Sequence, residues 1–312
     1  METGAGEWIV EDGLVDAHVH LTFEPHDVFG LPRGSRELIE AGLRAHRAAG
    51  ELLVRDAGSL PGSEPAELRA FAGVTVLGCG PLLAPAGHFM AHLHEPVAPA
   101  DAAEAAAAGV RTGWPWAKVI LDFPGPDGNP LAPRIGYEPA VLAEIAAAVH
   151  EAGGRLATHV MGDHVDVAIE AGVDSIEHGS CADLDAVREM AARGIAWTPT
   201  LTTVAERYLE PMAARVPPAQ ALLDRMRETL PAAAEAGVTI LTGTDEEPHG
   251  SVAREVAALI RYGLTPRHAV AAATSDAHAF FGSGGLGRVT FQRDPIADPS
   301  VLARPAAVLA YT

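Results

Sequence analysis

Glu151-Ala152-Gly153, Glu170-Ala171-Gly172 and Glu235-Ala236-Gly237 each close an Ala-rich stretch, and each is followed directly by a short apolar run. Glycine accepts the left-handed conformation that often ends a helix, so each triplet reads as a helix terminus feeding a strand. The alternation runs through most of the chain. β-type runs lie at 14–21, 51–57, 74–79, 117–123, 155–160, 175–179, 196–201 and 239–244; helical stretches include 35–49, 99–108, 139–152, 165–171, 184–193, 220–236 and a last one at 266–281. Eight β–α alternations without a composition break predict an α/β fold, a (β/α)8 TIM barrel of parallel strands with helices outside. A doubly wound open sheet is the alternative.

The expected barrel spans 13–282. A short N-terminal segment, 1–12, precedes it, and a C-terminal strap, 283–312, packs on it. The strap opens on the turn Gly282-Ser283-Gly284-Gly285 and carries Pro295, Pro299 and Pro305, which predicts a loop-rich segment.

Barrel enzymes carry their active sites at the C-terminal ends of the strands. Six polar residues fall there: His18 and His20 at the end of the first run, Lys118 in the fourth, His159 ending the fifth, His178 ending the sixth, and Asp245 after the eighth. His18 and His20 stand at i and i+2, so in a strand both point to one face, roughly 6–7 Å apart. Imidazoles so placed can converge on one ion at about 2.0–2.1 Å from each nitrogen. Such ligands suit Zn²⁺ first, with Mn²⁺ and Fe²⁺ as alternatives. A protonated lysine cannot bind a cation, but burial lowers a lysine pKa, and a neutral amine reacts with carbon dioxide to give a carbamate. A CO2-derived carbamate on Lys118 could bridge two divalent metal ions, with His18, His20 and Asp245 on one and His159 and His178 on the other. Such a pair supplies an activated water at neutral pH, and Asp245 is placed to take its proton and pass it to a leaving group.

The motifs Asp16-Ala17-His18-Val19-His20, Ala117-Lys118-Val119, Thr158-His159, Ser175-Ile176-Glu177-His178-Gly179 and Thr242-Gly243-Thr244-Asp245 together resemble the amidohydrolase superfamily. Val54-Arg55-Asp56-Ala57-Gly58, Ala86-Gly87-His88 and Pro248-His249-Gly250 place the resemblance in its imidazolonepropionase-related and prolidase-like branch, over about residues 12–300. The resemblance implies a barrel hydrolase with a binuclear site that cleaves an amide C–N bond in an N-acyl amino acid, dipeptide or cyclic amide. Lactone or organophosphate ester hydrolysis is the second reading. Deamination, which the superfamily typically runs on one metal without the lysine bridge, and a non-catalytic metal-binding role come after it.

Two departures from the branch stand out. Most relatives carry a small β-sandwich built from both chain ends, and here it is expected to be lost or vestigial. Ala86 also replaces the usual glycine before Gly87-His88. Candidate substrate contacts are His88, Arg207, Tyr208 and His249; Arg55 is equally suited to pairing with a neighbouring acid.

Composition narrows the partners. A formal charge of −19 opposes nucleic acid and anionic membranes, which leaves a small-molecule substrate. No apolar run reaches the roughly 20 residues of a membrane helix, and the acidic Met1-Glu2-Thr3 start lacks signal-peptide character. Two cysteines, Cys79 and Cys181, make no disulfide framework, so a cytoplasmic location is the expectation. Association into a homo-oligomer is left open.

Overall fold

In a computed structural model, residues 7–24, 28–126 and 128–311 are described. Residues 1–6 of the expected N-terminal segment, Asp127 of the expected barrel and Thr312 of the strap lie outside them.

The strands are β1 (Trp8–Glu11), β2 (Leu14–Val19), β3 (Glu51–Asp56), β4 (Thr75–Gly78), β5 (Trp116–Ile120), β6 (Asp122–Phe123), β7 (Arg134–Ile135), β8 (Arg155–Val160), β9 (Ser175–His178), β10 (Ala196–Thr198), β11 (Gly287–Phe291) and β12 (Ala307–Ala310). Helices α1 (Arg36–Ala48), α2 (Ala102–Thr112), α3 (Pro139–Glu151), α4 (Val165–Ala171), α5 (Leu184–Arg193), α6 (Glu210–Ala213), α7 (Pro217–Ala236), α8 (Val252–Arg261), α9 (Pro266–Ala272) and α10 (Ser275–Phe281) are interspersed among them, with none among the described residues between β3 and β4. Gly172 and Gly237, at φ 79° and 83°, cap α4 and α7 in the left-handed region, as the Glu-Ala-Gly triplets predict. Gly153, at φ 86°, takes the left-handed conformation one residue past Ala152, the cap of α3.

Two parallel sheets form, β2-β3-β4 and β10-β9-β8-β5. The strands β2, β3, β5 and β9 are buried at every position, because helices cover one face and the molecule's centre the other. Between the sheets, Leu83 N–H donates to Lys118 O at 3.0 Å and Ile120 N–H to Leu83 O at 2.9 Å. The eighth run, 239–244, is not a regular strand. Ile240 alone bridges to Trp197, while Leu241 N–H donates to Trp197 O and Ala17 N–H to Thr242 O, at 2.9 and 2.8 Å.

Three expectations are corrected. The segment 196–201 ends as a strand at Thr198 and turns at Thr200 into a π-helix, Thr202–Leu209. The last helix is two, broken at Ala273 and Thr274; Ala273 O accepts from Val15 N–H at 2.9 Å, and the break frees that carbonyl. The C-terminal strap is more than loop, for β11 pairs antiparallel with both β1 and β12 in a three-stranded sheet made from both ends of the described chain. Its signal was legible: Gly287-Arg288-Val289-Thr290-Phe291 alternates buried and outward positions with period two.

Candidate metal centre

His18 sits inside β2 and His20 just past it, Lys118 on β5, His159 on β8 and His178 at the end of β9. Asp245 follows the eighth run, where its backbone N–H and that of Thr244 both donate to His18 O, at 2.7 and 3.1 Å. Those bonds bring the chain's two most distant site segments together. All six side chains line one cavity of about 500 Å³.

The donors converge on its floor. Asp245 Oδ1 lies 3.5 Å from His20 Nε2 and 3.6 Å from His18 Nε2, and its Oδ2 lies 4.0 Å from His178 Nδ1. One ligand atom each from His18, His178 and Asp245 fits within 4.8 Å of the others. The His159 and His178 rings meet edge to face at 4.5 Å, which extends the cluster to a second lobe. His159 Nε2 is buried and has no hydrogen-bond partner. A buried donor or acceptor left so costs about 1–3 kcal/mol, so an electron pair aimed into a cavity there fits a cation.

Neighbours fix the orientation of these ligands. His18 Nδ1 bonds Glu177 Oε2 at 2.7 Å, and His20 Nδ1 bonds Gly58 O at 2.9 Å, which leaves each Nε2 facing the cavity. His178 Nδ1 and Thr200 Oγ1 share a bond of 2.7 Å. Glu177 Oε1 in turn accepts from Arg55 Nη2 and Ser175 Oγ, both at 2.5 Å, and Arg55 lies 4.8 Å over the Trp116 ring. Such partners hold a ligand's ring and tautomer in place.

The electrostatics of three of the four histidines suit metal ligation; at His20, burial is outweighed by Asp245, which raises the ring. Burial, and then the charge of Lys118, pushes His18 down to about 4; burial, reinforced by Lys118, also brings His159 to about 4. Burial and the neighbouring His159 hold His178 well below the usual range. These rings are neutral at pH 7, as ligation requires. Burial works against ionised Asp245, yet His18, His20 and His178 hold its carboxyl well below the usual range. Burial likewise opposes ionised Glu177, and Arg55 with His18 overcomes it. Burial lowers the Lys118 amine despite nearby Glu177.

The four expected substrate contacts part company. Tyr208 lines the cavity and donates to Glu246. His88 lies outside the cavity lining, beside Gly136. Arg207 also lies outside it and donates to Glu247 Oε1 at 2.8 Å. His249 is turned away, packed over Gly42 with its Nδ1 2.9 Å from His46 Nε2. Arg55 meets an acid, Glu177, as one of its two readings held. Sequence reasoning gave Glu177 no role, although an acid inside a fully buried strand has to find a partner.

The profile of the Amidohydrolase family matches residues 9–295. The chain belongs to the amidohydrolase family. Members of that family typically bind metal ions, and the clustered histidines and carboxylate here are a candidate set of ligands. An uncharacterized protein of Mycobacterium tuberculosis is 33% identical over 334 residues, covering 97% of this amidohydrolase and 84% of that relative. The ochratoxinase of Aspergillus niger is 31% identical over 205 residues, 58% of this chain and 41% of its own. Its crystal structure superposes with a TM-score of 0.79 at 23% identity over 97% of this chain and 82% of that one. An Xaa-Pro dipeptidase with bound methionine gives a TM-score of 0.79 at 21% identity, covering 98% and 87%. The fold is therefore the α/β fold of the prolidase-like amidohydrolases.

Proposed function

We propose that this amidohydrolase is a metal-dependent hydrolase that cleaves the amide C–N bond of a small molecule: an N-acyl amino acid, a dipeptide or a cyclic amide. The observation that carries the reading is the cavity floor, where His18, His20, His159, His178 and Asp245 converge and His159 Nε2 has no protein partner. His18, His20 and Asp245 would hold one divalent ion and His159 and His178 a second. Lys118, carboxylated by carbon dioxide, would bridge them; burial favours the neutral amine that this reaction needs. Zn²⁺ is the first choice for this donor set, ahead of Mn²⁺ and Fe²⁺. When bound, the ions supply Lewis acidity toward a water and the scissile carbonyl.

The chain's own groups do the rest. Asp245, ionised at neutral pH, accepts the attacking water's proton and returns it to the departing nitrogen. His18 and His20, locked by Glu177 and by Gly58 O, hold that carboxylate in register. Phe23, Leu82, Phe89, Phe123, Leu209 and Met212 in the cavity wall exclude water and suit an apolar substituent. The closed (β/α)8 ring belongs to the same proposal, supported by the bonds from 239–244 to β2 and β10.

Metal-replete protein incubated with N-acyl amino acids of apolar side chain, dipeptides, cyclic amides and matched lactones provides the test, read by mass spectrometry. Release of amine from at least one amide class is expected. Turnover of lactones with none of the amides would overturn the reading.

A further inference from the structure

An eight-residue π-helix is uncommon; most π-type turns are single bulges, frequently at functional sites. Here Thr202–Leu209 begins two residues after Thr200, whose φ of +46° is left-handed, a strained value for a β-branched residue. Asp245 is left-handed too, at φ +54°. Strain of that kind persists where the surroundings over-determine it.

The π-helix supplies one side of the surroundings of Asp245. The Thr203 hydroxyl donates to Thr244 O at 3.1 Å and accepts from Glu246 N–H at 3.2 Å, so one side chain grips the peptide groups on both flanks of Asp245. Thr203 is 2% exposed, and its bond to Thr244 O is buried away from competing water. One helical step on, Arg207 donates to Glu247 and Tyr208 to Glu246. The helix is itself held at its start: Glu255 of α8 accepts from Leu201 N–H, Thr202 N–H and Thr202 Oγ1 at 2.7–2.9 Å. Just upstream, Thr200 bonds His178. One segment thus contacts a histidine on one side of the site and the loop of the carboxylate on the other.

We propose that the π-helix is the positioning frame of the site, and that Thr203 is the positioning residue that fixes Asp245. An α-helical turn over the same residues would advance each position by a different angle and rise, and Thr203, Arg207 and Tyr208 would no longer all face 244–247. The proposal rests on the reading that Asp245 serves the metal centre, and it adds a residue to which neither family resemblance nor sequence spacing gave a role.

Thr203→Val keeps shape and removes the hydroxyl; Thr203→Ser keeps the hydroxyl. Three readouts are compared in the full chain: hydrogen exchange at the Glu246 amide, Zn²⁺ affinity by chelator competition, and kcat against KM on any amide substrate found. In Thr203→Val the Glu246 amide should exchange at least tenfold faster, Zn²⁺ affinity should fall, and kcat should fall about 10- to 100-fold with KM little changed. Thr203→Ser should restore all three. Unchanged exchange and affinity in a folded Thr203→Val protein would overturn the proposal, as would a Thr203→Ser protein no better than Thr203→Val. If Thr203→Val does not fold, Thr203→Ala carries the same measurements. Exchange and affinity need no substrate, so a failure of the hydrolase reading leaves them decisive.

Discussion

Two buried clusters of histidine and carboxylate each draw a member from β2, and they are opposite in kind. His18, His178 and Asp245 gather at the cavity floor; Asp16, His46 and Glu51 gather beneath helix α1. The second group is the more deeply buried, yet the donors and acceptors around it are matched. Glu51 Oε1 accepts from Val252 N–H at 3.0 Å, its Oε2 pairs with His46 Nδ1, and His46 Nε2 bonds His249 Nδ1. Burial raises Glu51 to about 8 and lowers His46 to about 3, so both are neutral at pH 7. A neutral Glu51 hydroxyl donates to His46 Nδ1, and His46 Nε2–H passes the bond on to His249. At the cavity floor the carboxylates are instead held ionised and His159 Nε2 is left over. Residue type is shared; what separates a ligand set from a structural network is open valence facing a cavity.

Acid-to-amide substitution breaks or sharpens that contrast. The largest effect belongs to Asp245→Asn, which keeps the shape and removes the proton acceptor. Hydrolysis should fall by about 10²–10⁴-fold, measured as kcat on whichever amide is turned over. Next comes Glu177→Gln, which leaves Arg55 without its anion and weakens the hold on His18. Metal affinity should drop by about 10–100-fold in a chelator titration, with Arg55 newly unpaired and Tm lowered. Unchanged affinity would make Glu177 a stability element only.

Glu51→Gln should have the smallest effect of the three, because a glutamine reproduces both bonds: its amide N–H donates to His46 and its oxygen accepts from Val252. Metal content should be unchanged. The pH response has a definite sign. The folded-state pKa of Glu51 is raised from 4.5 to about 8, so its share of stability is present below pH 4.5 and is lost as pH rises toward and through 8. In parallel thermal melts from pH 5 to 8.5, the Tm of the natural protein should lose ground to that of Glu51→Gln as pH rises. A Glu51→Gln profile as steep as the natural one would place the ionised form of Glu51 in the fold.

Much of the cavity's histidine and carboxylate cluster was legible because strand ends are legible. His18-Val19-His20 shows its shared face by spacing, and His159, His178 and Asp245 each close an apolar run, so the strand pattern located them before any contact was known. Which of the expected contacts would line the cavity was not, since His88, Arg207 and His249 lie on loops or an irregular helix whose direction no period fixes. His249 faces the closed cluster because Gly42 leaves room for its ring, a tertiary fact. The π-helix had no signature either: an i→i+5 bond pattern sets no apolar repeat distinct from that of an ordinary helix over eight residues. β12 escaped through brevity, while β11 did carry the alternation that identifies it.

The metal content of the protein tests the central claim most directly. Apo protein titrated with Zn²⁺ in bicarbonate buffer, with elemental analysis of the saturated form, should give two ions per chain, and about one or a weakly held second in Lys118→Ala. One ion or none in the natural protein, or an unchanged two in Lys118→Ala, would contradict a lysine-bridged pair on the cavity floor.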